Sequence, residues 1–218
     1  MSSLSANAAM RMDRIYRTQR LFYNVTRRPF LLGRDLLLKE LQPPAGGNVL
    51  EIGCGTARNL IRAAVMYPSV KFYGLDVSSA MLATATRAVA GHDLGRQITL
   101  ARADATTCDP TSIFRVDGFD RIFISYALSM VSEWQAVLTR AEDCLTGAGS
   151  LHIADFGQCE ELPAAFRHLL FAWLARFSVS PSPDLDMTLI ALAASRRRKI
   201  KLQHHYRGYA VHAILGRA

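Results

Sequence analysis

The chain has 218 residues, half of them apolar and a fifth charged, which fits one folded α/β domain with small additions and excludes a disordered chain. No stretch without Asp, Glu, Lys or Arg exceeds 11 residues, the longest being Ile122 to Ser132 and Cys144 to Ala154, so a membrane-spanning helix is not expected. The formal net charge is +8, and it is uneven: net +5 over residues 1–40, −3 over 41–160 and +6 over 161–218. Such flanks point to an anionic partner, nucleic acid or a membrane surface.

In chain order, residues 5–23 read as a helix, with Met12, Ile15, Tyr16, Phe22 and Tyr23 set between arginines. No apolar run follows a basic patch there, so a secretory signal is not expected. Asn24 to Arg28 breaks the helix, and Pro29 suits the first turn of a second one over Phe30 to Leu41. The turn Pro43-Pro44-Ala45-Gly46-Gly47 closes this section. Residues 1–47 are therefore expected to form a helical cap and 48–218 the main domain.

From Asn48 short apolar runs alternate with helical segments. Strands are expected at Val49–Ile52, Val70–Leu75, Ile98–Arg102, Phe119–Ser125 and Ser150–Ala154. Helices are expected at about Asn59–Met66, Ser79–Ala90 and Glu133–Leu145, then along the stripe Phe166, Leu169, Leu170, Trp173, Leu174 and Phe177, and over Leu185–Ala194. Lys199 to Leu215 reads as a strand pair turning near Arg207-Gly208. This alternation predicts a doubly wound parallel sheet whose ligands sit at the carboxyl ends of its strands. Cys54, Cys108, Cys144 and Cys159 have neither C-x-x-C spacing nor a zinc-like grouping, so reduced thiols and no metal are expected.

The strongest chemical signal is Val49 to Leu60, VLEIGCGTARNL: a buried strand, the turn Gly53-Cys54-Gly55, then a helix. Glycines there let backbone approach a ligand, and helix N-terminal amides favour anionic groups. Asp76 follows at the end of the second strand, where an acid takes the ribose hydroxyls of an adenosine cofactor. Arg58 stands where a dinucleotide fingerprint needs Gly or Ala, and no phosphate loop of the G-x-x-x-x-G-K-[ST] kind is present.

Glu51-x-Gly53-x-Gly55 resembles motif I of class I S-adenosylmethionine (SAM) methyltransferases. The resemblance covers about residues 48–158 and implies a Rossmann-like α/β fold with a mostly parallel seven-stranded sheet, helices on both faces and an antiparallel C-terminal strand pair. It implies SAM as cofactor, S-adenosylhomocysteine as product, and cofactor contacts from Glu51, Gly53, Cys54 and Gly55. In Gly74 to Leu82, Asp76 would hold the ribose while Val77 and Met81 flank the adenine. In Ala101 to Thr106, Asp104 with Ala105 would take the adenine amino group. Phe123 to Met130, with Ser125, would lie beside the reactive methyl. Ala57 departs from the family's third glycine; a positive φ there would strain it and weaken cofactor binding.

The segment after the fourth strand, Ser125-Tyr126-Ala127-Leu128-Ser129-Met130, lacks the [ND]-P-P-[YF] motif of nucleic-acid amino methyltransferases, and no Cys follows a Pro, which disfavours nucleic acid. Met12 to Leu38, Ser125 to Trp134 and the segments between Leu151 and Pro181 resemble the diacylglycerylhomoserine N-methyltransferases, bacterial betaine-lipid enzymes. That resemblance implies three methylations of a lipid-linked homoserine amine, a cytoplasmic enzyme at the inner face of an anionic membrane, and an upstream SAM-dependent 3-amino-3-carboxypropyl transferase as a partner. Another small molecule or RNA is the alternative acceptor. The catalytic candidates are Tyr126, to position the amine, and Asp155, to attract it and take its proton. Tyr16 is a substrate candidate with Tyr126, and Tyr23 and Arg28 are cofactor candidates in the front helices, Arg28 through a carboxylate. The Phe166–Phe177 stripe is either a membrane-facing helix or one packed on the sheet. The run Arg196 to Lys199 with Lys201 is a candidate for lipid head groups.

Overall fold

The computed structural model describes residues 31–217. The first expected helix, and with it Tyr16, Tyr23 and Arg28, lies outside them. Of the second expected helix the described part is α1 (Arg34–Glu40), which begins after Gly33 in a left-handed conformation.

Then follow β1 (Asn48–Ile52), α2 (Arg58–Met66), β2 (Lys71–Asp76), α3 (Ser79–Gly91), β3 (Ile98–Arg102), α4 (Pro110–Phe114) and β4 (Phe119–Ser125). A short 3₁₀ turn (Leu128–Met130) leads to α5 (Trp134–Asp143), β5 (Leu145–Phe156), α6 (Ala164–Ala175), α7 (Leu185–Ser195), β6 (Arg198–His205) and β7 (Ala210–Arg217). The seven strands form one sheet in the order β3-β2-β1-β4-β5-β7-β6. The β3-β2-β1-β4-β5 neighbours pair in parallel, while β7 runs antiparallel to both β5 and β6. This is the Rossmann-like methyltransferase fold expected from the resemblance.

Two strand-helix units explain the sheet. Val49, Leu50, Glu51 and Ile52 are all buried, as a central parallel strand requires. On one face, Leu37, Leu38, Leu60, Ala63, Ala85 and Leu174 from α1, α2, α3 and α6 pack with Phe72 and Phe123. On the other, Val137, Leu138, Leu185 and Leu189 from α5 and α7 pack with Leu50, Ile122 and Ile153. Arg121 ties the segment after α1 to β4, its guanidinium donating to the carbonyls of Leu41 and Gln42 at 2.6 and 3.0 Å.

Helix α4 and the 3₁₀ turn have no counterpart among the expected elements. Both are too short for a periodic signal; α4 is set by Pro110 in its first turn and by Asp109, whose carboxylate accepts the Thr111 N–H. Strand β5 also begins earlier than expected, because Leu145 pairs with Phe119 before the register slips and Ser150 pairs with Arg121.

Helix α2 lies close on β2 because Gly74 has no side chain. A β-carbon there would stand 2.6 Å from Leu60 Cδ1, 2.7 Å from Leu100 Cδ2 and 2.9 Å from Cys54 Sγ. Gly74→Ala is therefore expected to destabilise the fold by about 1–3 kcal/mol through overpacking, read as a lower urea midpoint with an unchanged slope.

Candidate functional site

Strands β1, β2, β3 and β4 end side by side, and the turns after them surround one cavity of about 1570 Å³. That exceeds the roughly 300–1,000 Å³ of an ordinary small-ligand pocket and gives space for a cofactor and an acceptor together. The segment between α6 and α7, including Ser178 to Pro183, forms a further wall.

The turn after β1 is built on left-handed backbone at alternate residues: φ is 73° at Gly53, 54° at Gly55 and 60° at Ala57. The Gly53 and Cys54 N–H groups both donate to the Leu75 carbonyl, at 2.8 and 3.0 Å, which locks the turn to β2. Ala57 stands at the left-handed position just before α2. The strain foreseen for an alanine there is therefore present, at about 1–2 kcal/mol.

Asp76, at the end of β2, accepts the Gly55 N–H on one carboxylate oxygen at 2.7 Å and the Ser78 N–H on the other at 2.8 Å. The two oxygens of this one carboxylate are thus fixed side by side in the cavity wall, where the hydroxyls of a ribose would meet them. Val77 and Met81 line the cavity beside it, and Ser78 caps α3 by accepting the Met81 N–H. After the neighbouring strand β3, Asp104 accepts from the Thr106 amide and hydroxyl, at 2.9 and 2.7 Å, and Ala105 lines the cavity with it.

Glu51 is 1% exposed. One of its oxygens accepts from the Asn59 side-chain amide at 2.8 Å, and the other, buried, has no hydrogen-bond partner. Burial pushes its pKa up to about 8, with Asn59 opposing and Asp76 adding to the rise. An unpartnered buried carboxylate oxygen in a cavity wall suits a cation. Arg34, not singled out by the sequence pattern, also lines the cavity; burial, then the neighbouring Arg58, lowers its pKa to about 10. Cys54 lines it too, but burial raises its thiol well above the ordinary range, so it is no nucleophile.

Tyr126 follows β4 with φ 56°, a strained conformation for an aromatic residue, and lines the cavity beside Ser125. Its hydroxyl donates to the Leu32 carbonyl at 2.6 Å. Its pKa is raised, by burial first and then by Asp155. Asp155 takes a different place from the one its sequence position suggested. It is 1% exposed and is not part of the cavity wall. Its carboxylate accepts the N–H groups of Leu128 (2.9 Å), Ser129 (3.3 Å) and Phe156 (2.8 Å). Burial raises its pKa to about 6. The structure thus brings Glu51, Gly53, Cys54, Gly55, Asp76, Val77, Met81, Asp104, Ala105, Ser125 and Tyr126 around one cavity and sets Asp155 behind the loop that carries Tyr126.

Fold and site together define a SAM-dependent methyltransferase. The family model described as a methyltransferase domain matches residues 44–194, and the chain belongs to that family. Among curated relatives, it is 29% identical over 126 residues to a demethylmenaquinone methyltransferase of Lactobacillus johnsonii, covering 57% of this chain and 50% of that protein. It is 29% identical over 100 residues to a carboxy-S-adenosyl-L-methionine synthase of Campylobacter hominis, covering 46% and 38%. The matches thus span half or less of these relatives' length. Among solved structures, an O-methyltransferase family protein from Burkholderia thailandensis superposes with a TM-score of 0.72 at 14% identity, over 93% of this chain and 60% of that one. A Haemonchus contortus phosphoethanolamine N-methyltransferase, solved with phosphomonomethylethanolamine and S-adenosylhomocysteine, gives 0.61 at 21%, over 78% and 38%.

The residues present fit SAM: one carboxylate, Asp76, for ribose hydroxyls, left-handed glycines lining the cavity, and at Glu51 a buried carboxylate oxygen without a partner for an ammonium. A β-carbon on Gly55 meets nothing within 4 Å, whereas one on Gly53 would stand 2.6 Å from Ala127 Cβ. Both alanine variants carry left-handed strain of about 1–2 kcal/mol. Gly55→Ala is expected to keep the fold but to lower SAM affinity about tenfold or more, its methyl standing in the cavity; Gly53→Ala is expected to lower the melting temperature further by displacing the Ala127 loop. Thermal denaturation and SAM calorimetry separate the two.

Glu51 gives a pH signature. With its pKa near 8 the carboxyl is largely protonated at pH 7, and an ammonium beside it favours the ionised form. SAM binding is expected to release a proton and to tighten as pH rises from 6 to 8. Calorimetry in buffers of different ionisation enthalpy reads the proton, and Glu51→Gln is expected to remove it.

Proposed function

We propose that this chain is an N-methyltransferase that methylates the homoserine amine of diacylglycerylhomoserine up to three times, making a betaine lipid. The observation that carries this reading is α6, next to the cavity wall formed by Ser178 to Pro183. Leu170 and Leu174 pack it on the sheet, while Phe166 and Leu169 are 53% and 70% exposed. Arg167, His168 and Arg176 stand on the same helix or at its end. One side of the stripe packs on the sheet; the exposed apolar residues, with arginines beside them, would suit an anionic bilayer. No described helix is long and apolar enough to cross a membrane, so the lipid would be met at the surface.

When bound, SAM supplies an electrophilic methyl on a sulfonium that leaves as a neutral thioether. Asp76 would hold the ribose, Val77 and Met81 would flank the adenine, Asp104 and Ala105 would take its amino group, and the Gly53-Cys54-Gly55 backbone with Glu51 would hold the amino-acid end. The acceptor nitrogen must be aligned and unprotonated. Tyr126 is the positioning group nearest the strand end, and Asp155 acts through it by fixing the loop. A second reading, methylation of another small molecule, is favoured by the match to the demethylmenaquinone enzyme.

Purified protein incubated with SAM and liposomes containing diacylglycerylhomoserine is expected to yield mono-, di- and trimethylated lipid by mass spectrometry. SAM binding with unmodified lipid would remove the lipid assignment. Methyl incorporation into bulk RNA or a quinone precursor in parallel assays would name the other acceptor. Phe166→Ser/Leu169→Ser is expected to weaken sedimentation with anionic vesicles while leaving SAM affinity unchanged.

A further inference from the structure

A second cavity, of about 320 Å³, lies at the far end of the sheet, lined by Glu142, Gly147, Arg196, Arg197, Arg198 and Arg217. It sits where β6 begins and β7 ends, beside the early part of β5. The cofactor turns sit at the opposite ends of the parallel strands, so the length of the β5 ladder, roughly 17 Å at about 3.3 Å per residue, separates the two.

Four arginines line it. Arg198 and Arg217 are direct cross-strand partners on the antiparallel pair, and like charges placed so destabilise a sheet unless something neutralises them. Two of the four are held in place. Arg198 donates to Glu142 at 3.1 Å and to the Gly149 carbonyl at 2.9 Å; Arg196 donates to Asp143 at 2.6 Å. Arg197 and Arg217 have no ion pair among the described residues. Two carboxylates thus offset two of four cations and leave two positive charges. Guanidinium forks match phosphate oxygens in pairs, and two of them are already ordered, so binding costs less entropy. Glu142 also lines the cavity; one of its oxygens holds Arg198, and the other is buried without a hydrogen-bond partner among the described residues.

We propose that this arginine-lined cavity binds a doubly charged phosphate group, separately from methyl transfer. The chemistry is the same whether the group belongs to a small soluble phosphate or to the head group of an anionic lipid.

The test uses the full chain. Inorganic phosphate is titrated at constant ionic strength with thermal denaturation and calorimetry as readouts. Sedimentation is measured with phosphatidylcholine vesicles with and without phosphatidic acid. Arg197→Gln/Arg217→Gln, which spares the two paired arginines, is expected to weaken binding about tenfold or more with SAM affinity unchanged. Arg87→Gln/Arg96→Gln, an equal charge loss elsewhere on the surface, is expected to leave binding intact. Binding of free phosphate supports a soluble ligand; binding only to phosphatidic acid vesicles supports a lipid head group. Absence of both, or equal weakening in the two double variants, overturns the proposal.

Discussion

The turn between β1 and α2 must reverse the chain within five residues in the wall of the cavity, and it does so with left-handed backbone at Gly53, Gly55 and Ala57. Everything at the cofactor end of the sheet hangs on that turn. The Leu75 carbonyl accepts two of its N–H groups, and the Asp76 carboxylate accepts a third. The first and second strand ends are therefore one hydrogen-bonded unit. Asp76 is already oriented before any ribose arrives, and the left-handed strain at Ala57 is held in place by its full burial against the sheet. Preorganisation of this kind lowers the entropic cost of binding a flexible cofactor.

Charge takes a different form at each end of the strands. At the cofactor end, acids are buried in or behind the cavity wall, and burial raises both Glu51 and Asp155 above the ordinary carboxylate range. At the other end, arginines gather where β6 begins and β7 ends. There the basic tail visible in the charge count meets two acids of the middle section, Glu142 and Asp143. The tail's excess does not surround the cofactor, and Lys201 is spent on Glu40 of α1 at 2.7 Å.

Much of this was legible in the sequence. β3 and β4 begin and end where their apolar runs do, and Asp76 sits at its strand end as the glycine register requires. Elements with little periodicity were less legible: α4 rests on a proline and an aspartate cap, and the Ser178 to Pro183 wall is a polar connection with no pattern at all. Arg34 escaped for another reason. Its place depends on Gly33 turning α1 toward the cavity, and Gly33 is required there because a β-carbon would overlap the His212 ring, on a strand far away in sequence. Such contacts are tertiary and leave no local signal.

Asp155 shows that a residue's surroundings can be invisible in its sequence position. A carboxylate after the fifth strand reads as a proton acceptor, yet three backbone N–H groups already use it. Those donors hold the loop that begins with strained Tyr126. The loop is tied onward as well, since the Ser180 N–H donates to the Ser129 carbonyl at 2.7 Å and so joins it to the wall between α6 and α7. Tyr126 is itself a donor to Leu32 with a raised pKa, so it enters the site as a neutral phenol. Neither group is arranged to carry a proton away. For the proposed amine acceptor the consequence would be that Tyr126 and the loop behind it align the nitrogen, while its proton would leave to solvent through the open cavity or to another group in its wall.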